Sequence, residues 1–247
     1  MRVVGSNGEA TDLAIRKHAV EVFAKHGFKA ASMRMIAKGV NIKAPSLYNY
    51  YPSKERLLFE LMREPLTELN AAYVEKAAGI TDPLQRLLIF MDVHLGYHID
   101  FRLEVFIGNM ELRNLDEEHY KIISKLRDDY SLNLSGIIGD GIKAGVFSAE
   151  DVRVTTFAVL SLLSGVCNWY RPGGPLSREE VIDIHTRLAL RTLGVDEAAW
   201  GSAQKGKPLP GKARAAKQSA TRAGSRVAAR KVATKSKAAS VAETKKG

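Results

Sequence analysis

The stretch Leu47-Tyr48-Asn49-Tyr50-Tyr51-Pro52-Ser53-Lys54 decides the fold. Upstream, Pro45 suits the first turn of a short helix from about Lys43 to Tyr50, where a missing N–H costs nothing. Pro52 then breaks the chain, and Ser53 is placed to cap a long helix. Working backwards, Gly39-Val40-Asn41 reads as a tight turn. Ser32 reads as the cap of a second short helix, Met33 to Lys38. Before that, Ile15, Ala19, Val22 and Phe23 recur at i, i+4, i+7 and i+8, one face of a helix. Thr11 or Asp12 can cap its start and Gly27 suits its end. Three helices, the last two short and joined by a tight turn, describe a helix-turn-helix. Its core should be Ile15, Phe23, Ile36, Val40 and Leu47.

Helical spacing continues outward, and no period-2 strand is evident. The helix opened by Ser53 contains Pro65, which should kink or split it. Asp82-Pro83 opens another, to about His98, and a further one runs from about Arg102 to Asn114. Asp116 opens a long helix to about Ala144, with Gly145 as its terminal glycine. Ser148 with Asp151 resembles a capping box before a helix reaching Trp169. Arg171-Pro172-Gly173-Gly174-Pro175 is a turn. Ser177 with Glu180 is a capping box for the last helix, which ends near Leu193 before Gly194. The expected fold is all-α, about nine helices, in three parts. These are a helix-turn-helix head (1–56), a helical body (57–200), and a disordered Lys/Ala-rich tail (201–247).

Charge divides along the same boundaries. The net charge is +10. Residues 201–247 hold 13 Lys/Arg and one acid, residues 1–56 carry +6, and residues 57–200 carry −8. Basic ends on an acidic middle suggest a polyanion partner. The tail lacks aromatic residues and cannot bury enough apolar surface to offset chain entropy. It would hold DNA without sequence preference, by counterion release. Cys167 is the only cysteine, so no intramolecular disulfide forms. Met1 to Ala10 has no signal-peptide-like apolar stretch. The most apolar window, Phe157 to Cys167, is about half of what a bilayer span needs. A cytoplasmic, nucleoid-associated protein with no membrane partner is expected.

Residue identity sharpens the head. Phe23-Ala24-Lys25-His26-Gly27-Phe28, Ala31-Ser32-Met33-Arg34-Met35-Ile36-Ala37, Gly39-Val40 and Ser46 to Leu57 stand in the order and spacing of the TetR family, which the chain resembles from about Ile15 to Leu57. That resemblance implies a dimeric transcription regulator on double-stranded DNA, usually a repressor, that responds to a small-molecule effector, with residues 57–200 as its ligand-binding and dimerisation domain. Ser32, Tyr48 and Lys54 are then expected at phosphates, helped by the N–H groups of the helix that Ser53 caps. Arg34, Lys43, Ala44, Ser46 and Tyr50 are expected at or near base edges. The family more often has histidines at Asn49 and Tyr50 and phenylalanine at Tyr51.

For the body, Asn168-Trp169-Tyr170-Arg171-Pro172-Gly173-Gly174-Pro175-Leu176-Ser177 resembles the eighth-helix end of a TetR subgroup that senses acyl-CoA thioesters in fatty-acid and steroid-ring degradation. Candidate walls of a ligand pocket are Phe59, Met62, Phe90, His94, Tyr97, Phe106, Met110 and Trp169. Arg102 and Arg113 are candidates for ligand phosphates. Val159, Leu162, Leu163 and Val166, with Val181, Ile184, Leu188 and Leu193, would pair two chains through a four-helix bundle. His94 and His98 have metal-ligand spacing but no obvious third ligand, so no metal is expected. The chain shows no phosphate loop, dinucleotide fingerprint or nucleophile elbow, so neither cofactor nor catalysis is expected. Two other readings stay open: a nucleoid-like architectural DNA binder driven by the tail, and a thioester-handling enzyme.

Overall fold

The computed structural model describes residues 6–195. Among them, all regular structure is helical. The head holds α1 (Ser6–Ala30), α2 (Met33–Gly39) and α3 (Ala44–Tyr48). The body holds α4 (Lys54–Ala77), α5 (Pro83–Asp100), α6 (Arg102–Met110), a 3-10 turn (Leu112–Asn114), α7 (Glu117–Lys143), α8 (Val152–Ser164), α9 (Val166–Trp169) and α10 (Arg178–Thr192). The expected tail, 201–247, lies outside the described residues.

Several ends follow the expected caps. Ser32, Ser53, Asp82 and Asp116 each accept a backbone N–H three residues on, and Ser177 with Glu180 forms a complete capping box. Three expectations need correcting. First, α1 begins at Ser6, ahead of Thr11 and Asp12, although Gly27 does interrupt it with φ 73°. Second, α4 runs unsplit through Pro65. Third, Asp151 rather than Ser148 caps α8, accepting from the Val154 N–H, while the Ser148 N–H goes to the Leu193 carbonyl. The helix expected to reach Trp169 is also divided, at Gly165, into α8 and α9.

The head closes on Ile15, Ala19, Phe23, Ile36 and Leu47, none more than 1% exposed, with Val40 partly buried beside them. This core continues without a break into Leu57, Leu58, Leu61 and Met62 of α4 and Ile107 of α6. Head and body thus share one apolar interior, and α4 spans both. At the far end of the body, α7 stops on Gly145 at φ 69°. Phe147, 5% exposed, folds back so far that a Cβ on Gly141 would stand 2.0 Å from its ring. Gly141→Ala must therefore expel or tilt a buried ring. Overpacking of this kind costs about 1–3 kcal/mol. The expected result is a melting temperature lower by several degrees in a thermal denaturation scan; an unchanged midpoint would refute this reading.

The paired helices α8 and α10 divide their apolar residues unexpectedly. Val159, Leu163, Val166, Val181 and Leu193 are fully buried within the one chain. They are intrachain core, which corrects their assignment to a subunit interface. The residues left outside are Val154 at 68%, Phe157 at 52% and Leu188 at 40% exposure. Val154, Phe157, Ala158 and Ser161 form an i, i+3, i+4, i+7 stripe on α8, all exposed. The apolar run is also longer than expected. By length and composition Val152–Trp169, 18 residues of mean hydropathy 1.3, is apolar enough to cross a membrane, but Gly165 breaks it and its buried residues pack on α5, α7 and α10.

Candidate nucleic-acid interface and effector cavity

In the turn between α2 and α3, Asn41 takes a left-handed conformation (φ 55°), and the Ile42 N–H returns to the Ala37 carbonyl. Leu47 is the inward anchor of α3, with no exposed surface. Around it, Ser32, Arg34, Lys43, Ser46, Tyr48 and Tyr50 are all exposed, and Ala44 is partly buried against the core. Neither Arg34 nor Lys43 is held by an acid among the described residues. The Ser32 hydroxyl oxygen caps α2 through the Met35 N–H at 3.2 Å, which leaves its own proton free to donate. Six of the eight expected DNA-facing residues are thus open to solvent on α2, α3 and their flanks, and Ala44 is partly so.

Lys54 is placed differently. Its ammonium donates to the Phe28 carbonyl at 2.6 Å and the Ala31 carbonyl at 2.8 Å, and lies 4.3 Å from the centre of the Phe28 ring. The expectation of a free phosphate anchor is corrected. Two backbone carbonyls released at the end of α1 capture this cation, so its first task is to tie α4 to α1. Tyr51 has a comparable task that the sequence did not reveal. Its hydroxyl donates to Asp12 at 2.7 Å and accepts from Arg16 at 3.3 Å. Burial and the bond to Asp12 push its pKa up to about 12. Arg16 goes on to Glu64 at 2.7 Å. A phenylalanine here would leave that polar string unjoined.

The body encloses a cavity of about 190 Å³ among α4 to α8. Its apolar wall comes from Leu61, Met62, Leu66, Leu69, Val105 and Leu160; its polar wall from His94, Tyr97, His98, Glu104, Asn109, Arg127, Tyr130 and Ser164. Three of the expected wall residues, Met62, His94 and Tyr97, are present. The other five wall candidates and the two arginines, Arg102 and Arg113, are not among its lining residues. Phe59 is buried under His119, rings 4.0 Å apart. Phe90 lies behind the wall, stacked 4.7 Å from Tyr130. Trp169, 49% exposed, stacks on His185 at 5.7 Å. Arg102, Phe106 and Met110 share one face of α6 at four-residue spacing, whereas the cavity takes Glu104, Val105, Gly108 and Asn109 from another. Arg113 is exposed on the 3-10 turn.

His94 and His98 use their spacing for ring stacking, 3.8 Å between centroids. His94 Nε2 meets the Ser164 hydroxyl at 3.1 Å, and His98 Nδ1–H donates to the His94 carbonyl at 2.9 Å. Burial holds His94 well below the usual histidine range, helped by His98, and lowers His98 to about 4. Both rings are neutral at pH 7. His94 Nδ1 and the Tyr130 hydroxyl are buried without a hydrogen-bond partner. Of the polar lining residues, Asn109 is exposed and Arg127 partly buried. A second groove of about 420 Å³ shares Leu69 and Tyr97 with this cavity; its charged groups are Glu68, Lys76, Asp92, Asp100 and Arg178. Glu55, Asp116 and His119 converge like metal ligands. One oxygen of each carboxylate is engaged, since Asp116 caps α7 through the His119 N–H and Glu55 accepts the Asp116 N–H, while His119 Nδ1 lies 3.1 Å from the other Asp116 oxygen.

Comparison with known proteins agrees with this architecture. Residues 15–61 match the model for bacterial regulatory proteins of the tetR family, and residues 81–193 match a tetracyclin repressor-like C-terminal domain. The HTH-type transcriptional repressor KstR2 of Mycolicibacterium smegmatis is 30% identical over 176 residues, 70% of this chain and 85% of that protein. A crystal structure of a tetR-family regulatory protein from Rhodococcus RHA1 superposes with a TM-score of 0.70 at 28% identity, covering 76% of this chain and 98% of that one. AibR, solved with isovaleryl coenzyme A and operator DNA, shares the fold with a TM-score of 0.66 at 23% identity over 72% of this chain and 97% of its own. These relatives are regulators of transcription rather than enzymes. The chain belongs to the TetR family of bacterial transcription regulators.

Proposed function

We propose that this chain is a dimeric repressor that leaves a near-palindromic operator when a small acyl thioester, of the acyl-coenzyme A type, enters the body cavity. The observation that carries the effector class is the lining of that cavity. Buried Leu61, Met62 and Leu69 stand beside buried His94, His98 and Tyr130 in its lining, and its more exposed lining residues include Arg127 and Asn109. At about 190 Å³ it is smaller than the ~300–1,000 Å³ of a drug-sized site. It suits a short acyl group whose large anionic remainder stays outside. AibR lends the fold at its level of identity, and the ligand class is our extension.

Two chains would meet through the exposed stripe of α8 and Leu188 of α10. That pairing sets two α3 helices roughly 34–36 Å apart, one turn of DNA. Ser32, Tyr48 and the start of α4 serve phosphates, while Arg34, Lys43, Ala44, Ser46 and Tyr50 face base edges. Residues 201–247, with their +12, add sequence-independent grip at the chromosome in the cytoplasm. A thermal-shift panel of CoA thioesters, free acids and free CoA tests the effector. At a hundred times Kd, a bound thioester adds about 2.7 kcal/mol, or roughly 5–10 °C for a chain of this size. A flat response to every thioester would remove the acyl-CoA reading.

A further inference from the structure

Arg127 of α7 is a partly buried cation with no acidic partner. Among the described residues it forms no ion pair, and Glu104 on the same cavity wall does not reach it. One of its guanidinium nitrogens instead donates to the Gly108 carbonyl at 2.7 Å and lies 3.4 Å from the Asn109 side-chain oxygen. Burial lowers its pKa, the mark of a charge not fully compensated. Gly108 and Asn109 form the last turn of α6. One residue beyond that helix, Glu111 accepts the Phe28 N–H at 3.1 Å through one carboxylate oxygen and the Asn114 side chain at 2.6 Å through the other. Phe28 is the residue whose carbonyl Lys54 holds. A short polar path therefore runs from the cavity wall to the joint of the head: Arg127, the end of α6, Glu111, Phe28.

We propose that Arg127 both recognises an anionic group of the effector and reports its arrival, by giving up the Gly108 carbonyl to bind that anion. A guanidinium prefers a carboxylate or phosphate to a lone carbonyl, because the bond becomes charge-assisted at both ends and two-pronged. With Gly108 released, the end of α6 loses its tie to α7, and Glu111 loses its fixed position under Phe28. The effector class this selects is an apolar group joined to an anion. The inference rests on the cavity being the effector site, but not on the effector being a thioester.

The test uses the full chain, with Arg127→Met, Arg127→Lys and Glu111→Gln. Amide hydrogen exchange at Phe28 is measured with and without octanoyl-CoA, free CoA or octanoate, and binding of each probe is measured by calorimetry. Without ligand, Arg127→Met should speed exchange at Phe28 at least about tenfold, the worth of one hydrogen bond to a charged group. Arg127→Lys should restore most of the protection. In the unmodified protein a bound anionic probe should speed Phe28 exchange to a similar extent, with no further increase in Arg127→Met. Glu111→Gln, whose amide oxygen still accepts the Phe28 N–H, should bind the probe and keep a response at Phe28. Equal Phe28 exchange in ligand-free Arg127→Met and the unmodified protein overturns the proposal, as does unweakened probe binding by Arg127→Met. Binding of octanoate but not of octanoyl-CoA would discard the thioester reading and leave this inference standing. Binding of no anionic probe would discard both.

Discussion

The double substitution Phe157→Glu, Leu188→Glu is expected to give a folded monomer with operator affinity reduced more than about a thousandfold. In the single chain these side chains are 52% and 40% exposed, so glutamate there disturbs no core. In a two-fold dimer each position counts twice. Burying one such side chain contributes about 1.5–3 kcal/mol. Replacing it with a carboxylate also sets like charges against each other across a dry interface, at a cost of several kcal/mol. The effect on DNA is then multiplied, because a dimer binds its second half-site as an intramolecular event, worth about 10²–10⁴ in affinity. Sedimentation and operator titration read both quantities. A variant that stays dimeric with unchanged affinity would place the subunit face elsewhere.

Five of the eight residues expected at a subunit face, Val159, Leu163, Val166, Val181 and Leu193, are instead intrachain core. Periodicity marked Val159, Leu163, Val166 and Val181 as apolar positions, and they are. An apolar helix position does not say whether its neighbour belongs to the same chain. α8 and α10 are apolar on more than one face, and the inner face is used by α5 and α7. Val154 and Phe157 were legible as hydrophobic, but only the packed chain shows them exposed among the described residues. The head was far easier to read. Its caps and turn are local: Ser32 meets the Met35 N–H and Ser53 the Arg56 N–H, both three residues on. Local contacts follow from spacing.

The cavity was the least legible part, for the same physical reason. His94 and Tyr97 were found because a helix periodicity puts them on the inner face of α5. Arg127, Glu104 and Tyr130 were missed because a polar residue on an amphipathic helix reads as solvent-facing. Only the folded chain brings the end of α6 within reach of Arg127, whose guanidinium donates to the Gly108 carbonyl. Arg102 and Arg113 looked equally able to meet an anion, and nothing in residue type separates them from Arg127. What separates them is the helix face, set by packing that brings residues as far apart as Leu61 and Leu160 to one cavity.

Lys54 and Lys43 look alike in sequence, two lysines flanking α3, and they are expected to behave oppositely when removed. Lys54→Met breaks two charge-assisted bonds, to Phe28 and Ala31, and one cation–aromatic contact. Such bonds contribute roughly 1.5–3 kcal/mol each, so a loss of about 3 kcal/mol or more is expected. The melting temperature should fall by roughly 6–12 °C, and operator affinity should fall at least about a hundredfold as the end of α1 loosens from α4. Lys43 is exposed and unpaired, so Lys43→Met should leave the melting temperature unchanged. It should instead flatten the salt dependence of operator binding by about one phosphate contact, a slope change near 0.9. Measuring both quantities on both variants separates a lysine that holds the head together from one that holds DNA. A normal melting temperature for Lys54→Met, with the slope reduced as for Lys43→Met, would return Lys54 to the phosphate backbone.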